Sequence, residues 1–330
     1  MLANENGKIS SGAKNRKPIA SLSLDLDNQW SYMKTHGDAG WESFPSYLDV
    51  VVPRVLDFLK ARNLTITFFI VGQDAALEKN SEALERIAAA GHEIGNHSFH
   101  HEPWLHLRSE TEIEKELGDA EEHIERVTTK RPIGFRGPGY SFSEDILRVL
   151  VRRGYKYDAS TFPTYLGPLA RAYYFMTTKL SEEEKLKRKE LFGKLSDGRR
   201  PLKPYRCQVD NGTLIEIPVT TMPVFKLPVH VSYILYLSAF APRVALSYFR
   251  NSMRFCRMTG TQVSLLLHPL DFLGADDGLE ALSFFPAMKL PSEKKLRTVS
   301  EALSILSGNF SVITLQEHAA RLSAEKVKGT

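Results

Sequence analysis

The chain has 330 residues, of which 42% are hydrophobic and 25% are charged, and its formal net charge is +4. This composition is typical of a globular protein and excludes the disordered, collagen-like and fibrous classes. The two cysteines, Cys207 and Cys256, allow at most one disulfide, so nothing in the composition demands an oxidising compartment.

The N-terminal stretch, residues 1–17, is predicted to be a disordered arm. It is polar, contains several Lys and Arg residues and has no apolar run before Ile19. Signal peptides and membrane anchors need such a run. We therefore expect a cytoplasmic protein, located in the cytosol or at the inner face of the membrane. We also expect residues 18–330 to form one domain.

Strand and helix patterns alternate after the arm. Residues 19–26 alternate apolar and polar side chains, as a strand does. Further strands are predicted at 65–71, 92–95, 133–136, 155–157, 214–219, 262–267 and 312–315. Helices are predicted at 53–62, 78–90, 110–128, 143–153 and 292–306, with a last helix after the final strand. This rhythm predicts an α/β fold with a mostly parallel sheet or barrel, whose active site lies at the carboxyl ends of the strands.

The rhythm breaks at about residues 161–253, which we interpret as an insertion. A charged helix is predicted at 181–195, inside a segment (179–206) with ten Lys or Arg against five Asp or Glu. Such a segment is either a solvated helix or a site for an anionic partner such as a lipid headgroup. Residues 231–242 are uncharged but too short to span a bilayer, so they are predicted as a buried helix, a lid or a membrane-interface segment.

Two carboxylates come together at the end of the first predicted strand. Asp25 and Asp27 are two residues apart, so they lie on the same face of the strand. Two such acids repel each other unless a cation takes one of them and leaves the other as a base. The alternative is a pair of solvated acids at a strand end.

A pair of histidines follows the third predicted strand. His97 and His101 would share one face if the segment is helical, while His100 would point elsewhere. Together with Asp27 they would form a two-histidine, one-carboxylate metal site with open coordination positions. A purely structural histidine pair is the alternative.

Three further polar residues follow later strands. Arg136 precedes a Gly-Pro-Gly turn whose backbone N–H groups could face an oxyanion. His268 ends an apolar strand, and an acid such as Asp158 could keep it protonated as a general acid. Each of these three signals also has a structural explanation.

These segments, in this chain order, resemble the five motifs of the polysaccharide deacetylase family, also called the NodB homology group or carbohydrate esterase family four. The second motif of that family, His-Ser/Thr-x-x-His, is matched by His97, Ser98 and His101. The resemblance implies a distorted (β/α)7-type barrel, here with an insertion, and a metal-dependent hydrolase of carbon–nitrogen bonds.

The resemblance also implies roles at the metal and its base. Asp27, His97 and His101 would hold a divalent metal, most often zinc, with Co²⁺, Ni²⁺ or Fe²⁺ as alternatives. Asp25 would activate the attacking water. The first motif reads Asp-x-Asp instead of adjacent aspartates, so the roles of Asp25 and Asp27 could be reversed.

The remaining motif residues are implied to assist the reaction. His268 would be the acid, and Asp158 would orient and charge it. Arg136 would tether Asp25, and the backbone near Tyr140 would help to hold the oxyanion. The third motif is one residue looser than usual, and the fourth lacks a nearby Trp.

Aromatic residues after the first strand are candidates for sugar binding. The predicted loop at residues 28–41 contains Trp30, Tyr32, His36 and Trp41, whose rings could stack on sugar faces or pack in the core.

The resemblance implies hydrolysis of an N-acyl group, usually N-acetyl, from an amino sugar. The Asp-x-Asp form resembles the branch that acts on lipid-linked sugars, and the missing export signal favours a lipid- or nucleotide-linked glycan precursor over a finished polymer. Peripheral association with the membrane would suit such a substrate. The alternatives are hydrolysis of a non-sugar amide or cyclic imide and a non-catalytic binding protein with the same fold. No nucleic-acid-binding motif is present.

Overall fold

A computed structural model describes residues 17–169, 176, 178–180, 195–210 and 212–325. The predicted arm, apart from residue 17, lies outside the described residues. The same is true of residues 181–194 of the predicted charged helix.

Nine described strands form one curled, mostly parallel sheet with helices packed around it. They are β1 (Ile19–Asp25), β2 (Thr67–Ile70), β3 (Glu93–Asn96), β4 (Gly134–Phe135), β5 (Tyr157–Asp158), β6 (Tyr205–Val209), β7 (Gly212–Glu216), β8 (Val263–Leu267) and β9 (Ser311–Ile313). Their order is β6-β7-β5-β4-β3-β2-β1-β8, and β9 also pairs with β1. The predicted α/β class with a barrel-type sheet is confirmed.

Strand β1 lies at the centre of the site-bearing part of the sheet, because it pairs with β2, β8 and β9. Its alternation separates two environments. Leu22 and Leu24 pack in the main hydrophobic core, whereas Ser23 and Asp25 point to the other side and bind one arginine. Because β1 is parallel to its partners, the carboxyl ends of these strands meet at one edge.

Ten described helices surround or extend the sheet. They are α1 (Gln29–His36), α2 (Leu48–Lys60), α3 (Gly72–Ala76), α4 (Ser81–Ala89), α5 (Glu110–Thr128), α6 (Glu144–Arg152), α7 (Val231–Phe240), α8 (Pro242–Thr259), α9 (Ser292–Asn309) and α10 (Leu315–Glu325). Helix α5 has the predicted bounds because Ser109 and Glu112 form a capping box at its start. Ser143 caps α6, because its side chain accepts from the Ile146 N–H.

Some elements differ from the sequence-based expectation. Residues 29–36, predicted as a loop, form α1, since the Asn28 side chain accepts a hydrogen bond from the first helical N–H. The insertion adds β6, which pairs antiparallel with β7 at the edge of the sheet. It also contributes α7 and most of α8, so its described part belongs to the same sheet and core. In the part of the chain that the structure describes, no helix is long and apolar enough to cross a membrane.

Candidate active site

A cavity of about 850 Å³ opens at the carboxyl edge of the sheet. Five of the residues predicted to do chemistry line it together: Asp25, Asp27, His97, His101 and His268. They come from the ends of β1, β3 and β8 and from the loops that follow. Residues far apart in the chain are thus brought to one place by the parallel sheet.

Asp27, His97 and His101 form the only three-residue group in the described chain that could hold a metal ion. Asp27 Oδ1 lies 3.2 Å from His97 Nε2 and 2.9 Å from His101 Nε2. All three side chains are buried. One carboxylate oxygen and two imidazole nitrogens therefore face a common point, a donor set that suits zinc and related divalent ions.

The helical conformation considered for the segment of His97 and His101 is not adopted. The segment is a loop in which Ser98 and His101 have positive φ angles of 62° and 51°. The Ser98 N–H donates to Asn96 Oδ1, and the N–H groups of the next two residues donate to Glu116 Oε1 on α5. These hydrogen bonds replace those of a helix and hold the two imidazoles against Asp27.

The protonation of His97 fits a bound cation. Its Nδ1 lies 2.6 Å from the Arg136 carbonyl oxygen, which can only accept, so the proton is on Nδ1. In the neutral ring, Nε2 then points a lone pair at Asp27 Oδ1, which is repulsive unless a cation lies between the two atoms. The donor set present is therefore compatible with a divalent metal.

The electrostatics agree with this reading. Burial alone would raise the pKa of Asp27, but the charge of His101 and its hydrogen bond, together with the nearby His97, bring it well below its usual value. Burial opposes protonation of His97, yet the charges of Asp25 and Asp27 raise its pKa. A concentrated negative potential at this point favours cation binding.

Asp25 is held by a buried ion pair. Arg136 Nη1 donates to Asp25 Oδ1 at 2.7 Å and to Ser23 Oγ at 2.8 Å, while its Nε donates to the Ala159 carbonyl at 2.9 Å. Asp25 Oδ2 lies 4.0 Å from His97 Nε2. The carboxylate is thus fixed beside the candidate metal-binding group, with Oδ1 tied to the guanidinium.

The turn after β4 carries the predicted oxyanion donor. Gly137, Gly139 and Tyr140 line the cavity, and Tyr140 has a positive φ of 64°. The Tyr140 N–H, however, donates to the Gly137 carbonyl at 3.1 Å. The Tyr140 N–H thus closes a 3₁₀ turn, and the role of the backbone near Tyr140 in holding an oxyanion stays a prediction.

His268 is oriented by Asp271 instead of Asp158. His268 Nδ1 lies 3.1 Å from Ser232 Oγ, which donates to Asp271 Oδ1 at 2.7 Å. The His268 backbone N–H donates to Asp271 Oδ2 at 2.9 Å. Burial raises the pKa of Asp271, and the nearby His268 partly offsets this rise. Ser232 and Asp271 hold His268 through Nδ1 and form what we call the His268 relay. Nε2 is then the ring nitrogen of His268 that is available to the cavity.

The predicted role of Asp158 at His268 is not supported by its contacts. Asp158 is fully buried and accepts from Ser160 Oγ at 2.5 Å, and Ser160 Oγ in turn accepts from the Gly137 N–H at 2.8 Å. Its other oxygen and Glu216 Oε2 have no donor among the described groups. A proton shared between these two neighbouring carboxyl groups would satisfy both oxygens. Asp158 thus braces the Gly137 turn.

This buried acid pair makes stability depend on pH. Burial and the neighbouring Asp158 raise the pKa of Glu216 well above its usual value. Above about pH 4.3 the unfolded Glu216 ionises while the folded one keeps its proton, so the free energy of unfolding falls as pH rises. Glu216→Gln is expected to flatten this decline and to be at least as stable as wild type at about pH 8.

Urea unfolding of both proteins between about pH 5 and pH 8 measures this slope. Glu122→Gln, at an exposed position of α5, is the control and should keep the wild-type slope. An equal slope in wild type and Glu216→Gln would refute the shared proton.

The four aromatic candidates for substrate binding separate into two pairs. Tyr32 and His36 line the cavity, where His36 stacks on Phe284 at 3.9 Å. Trp30 does not: it is 1% exposed, and its indole N–H donates to the buried Asp74. Trp41 packs on Phe44 and lies outside the lining as well. The two tryptophans therefore stabilise the wall behind the site.

The described lining is mainly apolar away from the candidate catalytic residues. Its larger apolar and aromatic side chains are Leu166, Leu169, Met176, Tyr233, Tyr236, Phe240, Leu270, Phe284, Phe285 and Met288. The uncharged stretch in the insertion forms α7, which lines this cavity and supplies Ser232 to the His268 relay. Leu169, Met176 and Phe240 are 67%, 78% and 83% exposed at the rim.

Several residues of the site were missed in the sequence: Ser232, Asp271, His230 and Lys295. Lys295 is buried, lines the cavity and donates to the Leu270 carbonyl, and burial lowers its pKa to about 8. Asp271 carries a signal, because it follows His268 by three residues and closes the turn at Pro269–Asp271. His230 and Ser232 lie in a segment whose apolar composition gave no hint of chemistry.

Residues 38–157 match the family described as polysaccharide deacetylase. Relatives include the peptidoglycan N-acetylmuramic acid deacetylase of Bacillus subtilis (36% identical over 33% of this chain and 41% of that protein). Another is the peptidoglycan deacetylase of Helicobacter pylori (35% identical over 43% of this chain and 49% of that protein). The alignments thus span less than half the length of these two relatives.

Similar solved structures extend the likeness of the fold to nearly the whole chain. A protein of Mycobacterium smegmatis assigned as a polysaccharide deacetylase superposes with a TM-score of 0.63 at 20% sequence identity. The superposition covers 96% of this chain and 94% of that one. The curled sheet and its insertion therefore have a counterpart of known structure.

Proposed function

Because this chain carries a polysaccharide deacetylase domain of carbohydrate esterase family four, we propose that it hydrolyses the N-acyl group, most often N-acetyl, of an amino-sugar substrate in a metal-dependent reaction. One observation carries the proposal. A single cavity contains a buried Asp27–His97–His101 donor set, a carboxylate fixed by Arg136, and an imidazole oriented by an acid.

The roles follow from chemistry and placement. Asp27, His97 and His101 would hold the metal, with zinc as the ion proposed, and a divalent ion there would polarise the acyl oxygen and lower the pKa of a water. Asp25 takes the proton of the attacking water, and Arg136 keeps its carboxylate in place. The C–O bond forms and the C–N bond breaks.

His268 acts on the leaving amine. An amine is a poor leaving group unless its nitrogen is protonated. His268 Nε2 delivers that proton, while Ser232 and Asp271 hold the ring through Nδ1. The carboxylic acid and the free amino sugar then leave.

A lipid-linked sugar fits the cavity better than a nucleotide-linked one. Both kinds of substrate carry phosphate, so the rest of the carrier distinguishes them: a nucleoside presents polar base and ribose groups, whereas a polyprenyl chain is apolar. The apolar walls and the exposed Leu169 and Phe240 at the rim favour a polyprenyl chain and peripheral contact with a membrane.

A substrate panel tests this function. Metal-loaded protein is offered N-acetylated and N-formylated sugars in four forms: free, as oligomers, nucleotide-linked and polyprenyl-phosphate-linked, and the released acid is measured. We expect the highest kcat/KM on the polyprenyl-linked form. Preference for the oligomers would reject the lipid-linked class. Metal binding without release from any sugar would reject sugar deacylation.

The role of Asp271 yields a separate prediction. Asp271→Asn is expected to lower kcat/KM by about ten- to hundredfold, because the charge that stabilises protonated His268 is lost. The same loss shifts the alkaline limb of the pH–rate profile to lower pH. Asp277→Asn, in the neighbouring loop and paired with Arg54, is the control. An unshifted alkaline limb in Asp271→Asn would show that Asp271 only supports the fold.

A further inference from the structure

His230 lines the same cavity, although the proposed mechanism does not use it. It directly precedes α7, and its backbone carbonyl accepts from the Tyr233 N–H at 3.1 Å. Its side chain makes no capping hydrogen bond. The backbone thus starts the helix, while the imidazole is left for another task.

The His230 imidazole is buried in the part of the cavity that contains His268. It is 7% exposed and packs edge-on against Tyr233 at 4.2 Å between ring centroids. The His268 ring lies 5.6 Å away and the Phe162 ring 5.9 Å away. Within the described chain, His230 Nδ1 has no hydrogen-bond partner. Buried polar atoms are nearly always hydrogen-bonded. The unpaired Nδ1 therefore indicates either a missing ligand or a tautomer in which Nδ1 carries a lone pair instead of a proton.

His230 is neutral in this environment. Burial, together with the nearby charges of His268 and Arg136, lowers its pKa well below the usual value. A neutral imidazole has one N–H and one lone pair. An unpaired buried N–H is rarer than an unpaired acceptor, so the lone pair belongs on Nδ1. The proton is then on Nε2, the nitrogen left to the cavity.

We infer that His230 is a substrate-binding residue whose Nε2–H donates a hydrogen bond to a hydroxyl oxygen of the amino sugar. The inference rests on the proposed function, since the position of the sugar follows from it. His268 must reach the leaving nitrogen, which belongs to the sugar. The His230 ring is the neighbour of the His268 ring. The hydroxyl therefore lies on the leaving-group side of the scissile amide.

A structural role alone does not account for these features. A phenylalanine would fill the space between Tyr233 and Phe162 without burying a polar atom. A metal-binding role is not supported either, because His230 lies outside the group formed by Asp27, His97 and His101. The remaining use of a neutral donor in a cavity that takes a polyol is a hydrogen bond to it.

Binding and turnover of sugars test the inference separately. The probes are N-acetylglucosamine, chitotetraose and polyprenyl-phosphate-linked N-acetylglucosamine. Calorimetry with Asp25→Asn gives the Kd of each probe without turnover. The same measurement is then made on Asp25→Asn protein that also carries His230→Phe or His230→Gln. We expect His230→Phe to weaken binding about tenfold and His230→Gln, which keeps an N–H donor, to restore part of it. With Asp25 intact, His230→Phe should raise KM and leave kcat nearly unchanged.

The control is His123→Phe, a half-buried histidine on α5 that packs on Phe99 away from the cavity. In the Asp25→Asn protein it should bind the probes like the parent, and melting temperatures of all variants show that they fold. Equal Kd values for the parent and His230→Phe, a fall in kcat at constant KM, or no binding of any probe would overturn the inference. Binding that depends on His230 without any acid release by the protein with Asp25 intact would reject the proposed reaction and keep the contact.

Discussion

Asp25→Asn is expected to lower kcat by about 10²- to 10⁴-fold and to leave one bound zinc per chain. Asparagine is the same size and can still accept from Arg136, but it cannot take a proton from water. Asp25 Oδ1 is tied to the guanidinium at 2.7 Å, so the loss of basicity is the main change. The measurement is the rate of acid release on the best substrate, alongside zinc content by mass spectrometry.

Asp27→Asn is the matched comparison, since it alters the other carboxylate of the same motif. It should lose zinc as well as activity, because the side chain of Asp27 lies against both imidazoles. The opposite result, with zinc lost in Asp25→Asn and retained in Asp27→Asn, would exchange the two roles. Activity of Asp25→Asn within about tenfold of wild type would remove Asp25 as the base.

His101→Ala is expected to abolish stoichiometric zinc binding and all measurable turnover. It removes one of three donors, and its neighbours Asp27 and His97 alone make a weak site. Zinc affinity of wild type should also fall as pH falls, because the imidazoles must be neutral to bind. Equilibrium dialysis at several pH values measures both effects.

The chain supplies its own control for this variant. His100 is adjacent, but its side chain turns away and pairs with Glu116 at 2.7 Å. His100→Ala should therefore keep wild-type zinc affinity and turnover. Zinc affinity in His101→Ala equal to that of His100→Ala would contradict the assignment of the site.

Much of this site could be predicted from the sequence because strand geometry is local. Two-residue alternation in β1 is enough to put Leu24 in the core and to leave Asp25 and Asp27 available, and parallel pairing then brings the strand ends together. Tertiary contacts were not needed to expect His97, His101 and His268 at the same edge.

The local conformation of the second motif could not be predicted in this way. A spacing of four residues suits a helix, yet Ser98 and His101 adopt left-handed angles. What decides the outcome is Glu116, which lies on α5 and accepts the loop N–H groups. A contact between residues so far apart in the chain leaves no trace in the spacing of the motif.

The acid at His268 was misassigned for a related reason. Asp158 ends a strand and looked available, but it is buried in the interior, where Ser160 donates to one of its oxygens and Glu216 is its neighbour. Asp271 reaches the ring of His268 through Ser232, which α7 places between them. The fold of the insertion, which composition alone does not specify, therefore completes the site.

The most direct test of the account is titration of metal-free protein with zinc while acid release from the best amino-sugar substrate is followed. The account predicts no release without metal and a linear rise that ends at one zinc per chain, with no response in His101→Ala. Equal release by the chelated protein would contradict a metal-dependent reaction. Saturation at one zinc per chain with no acid released from any amino sugar would contradict sugar deacylation.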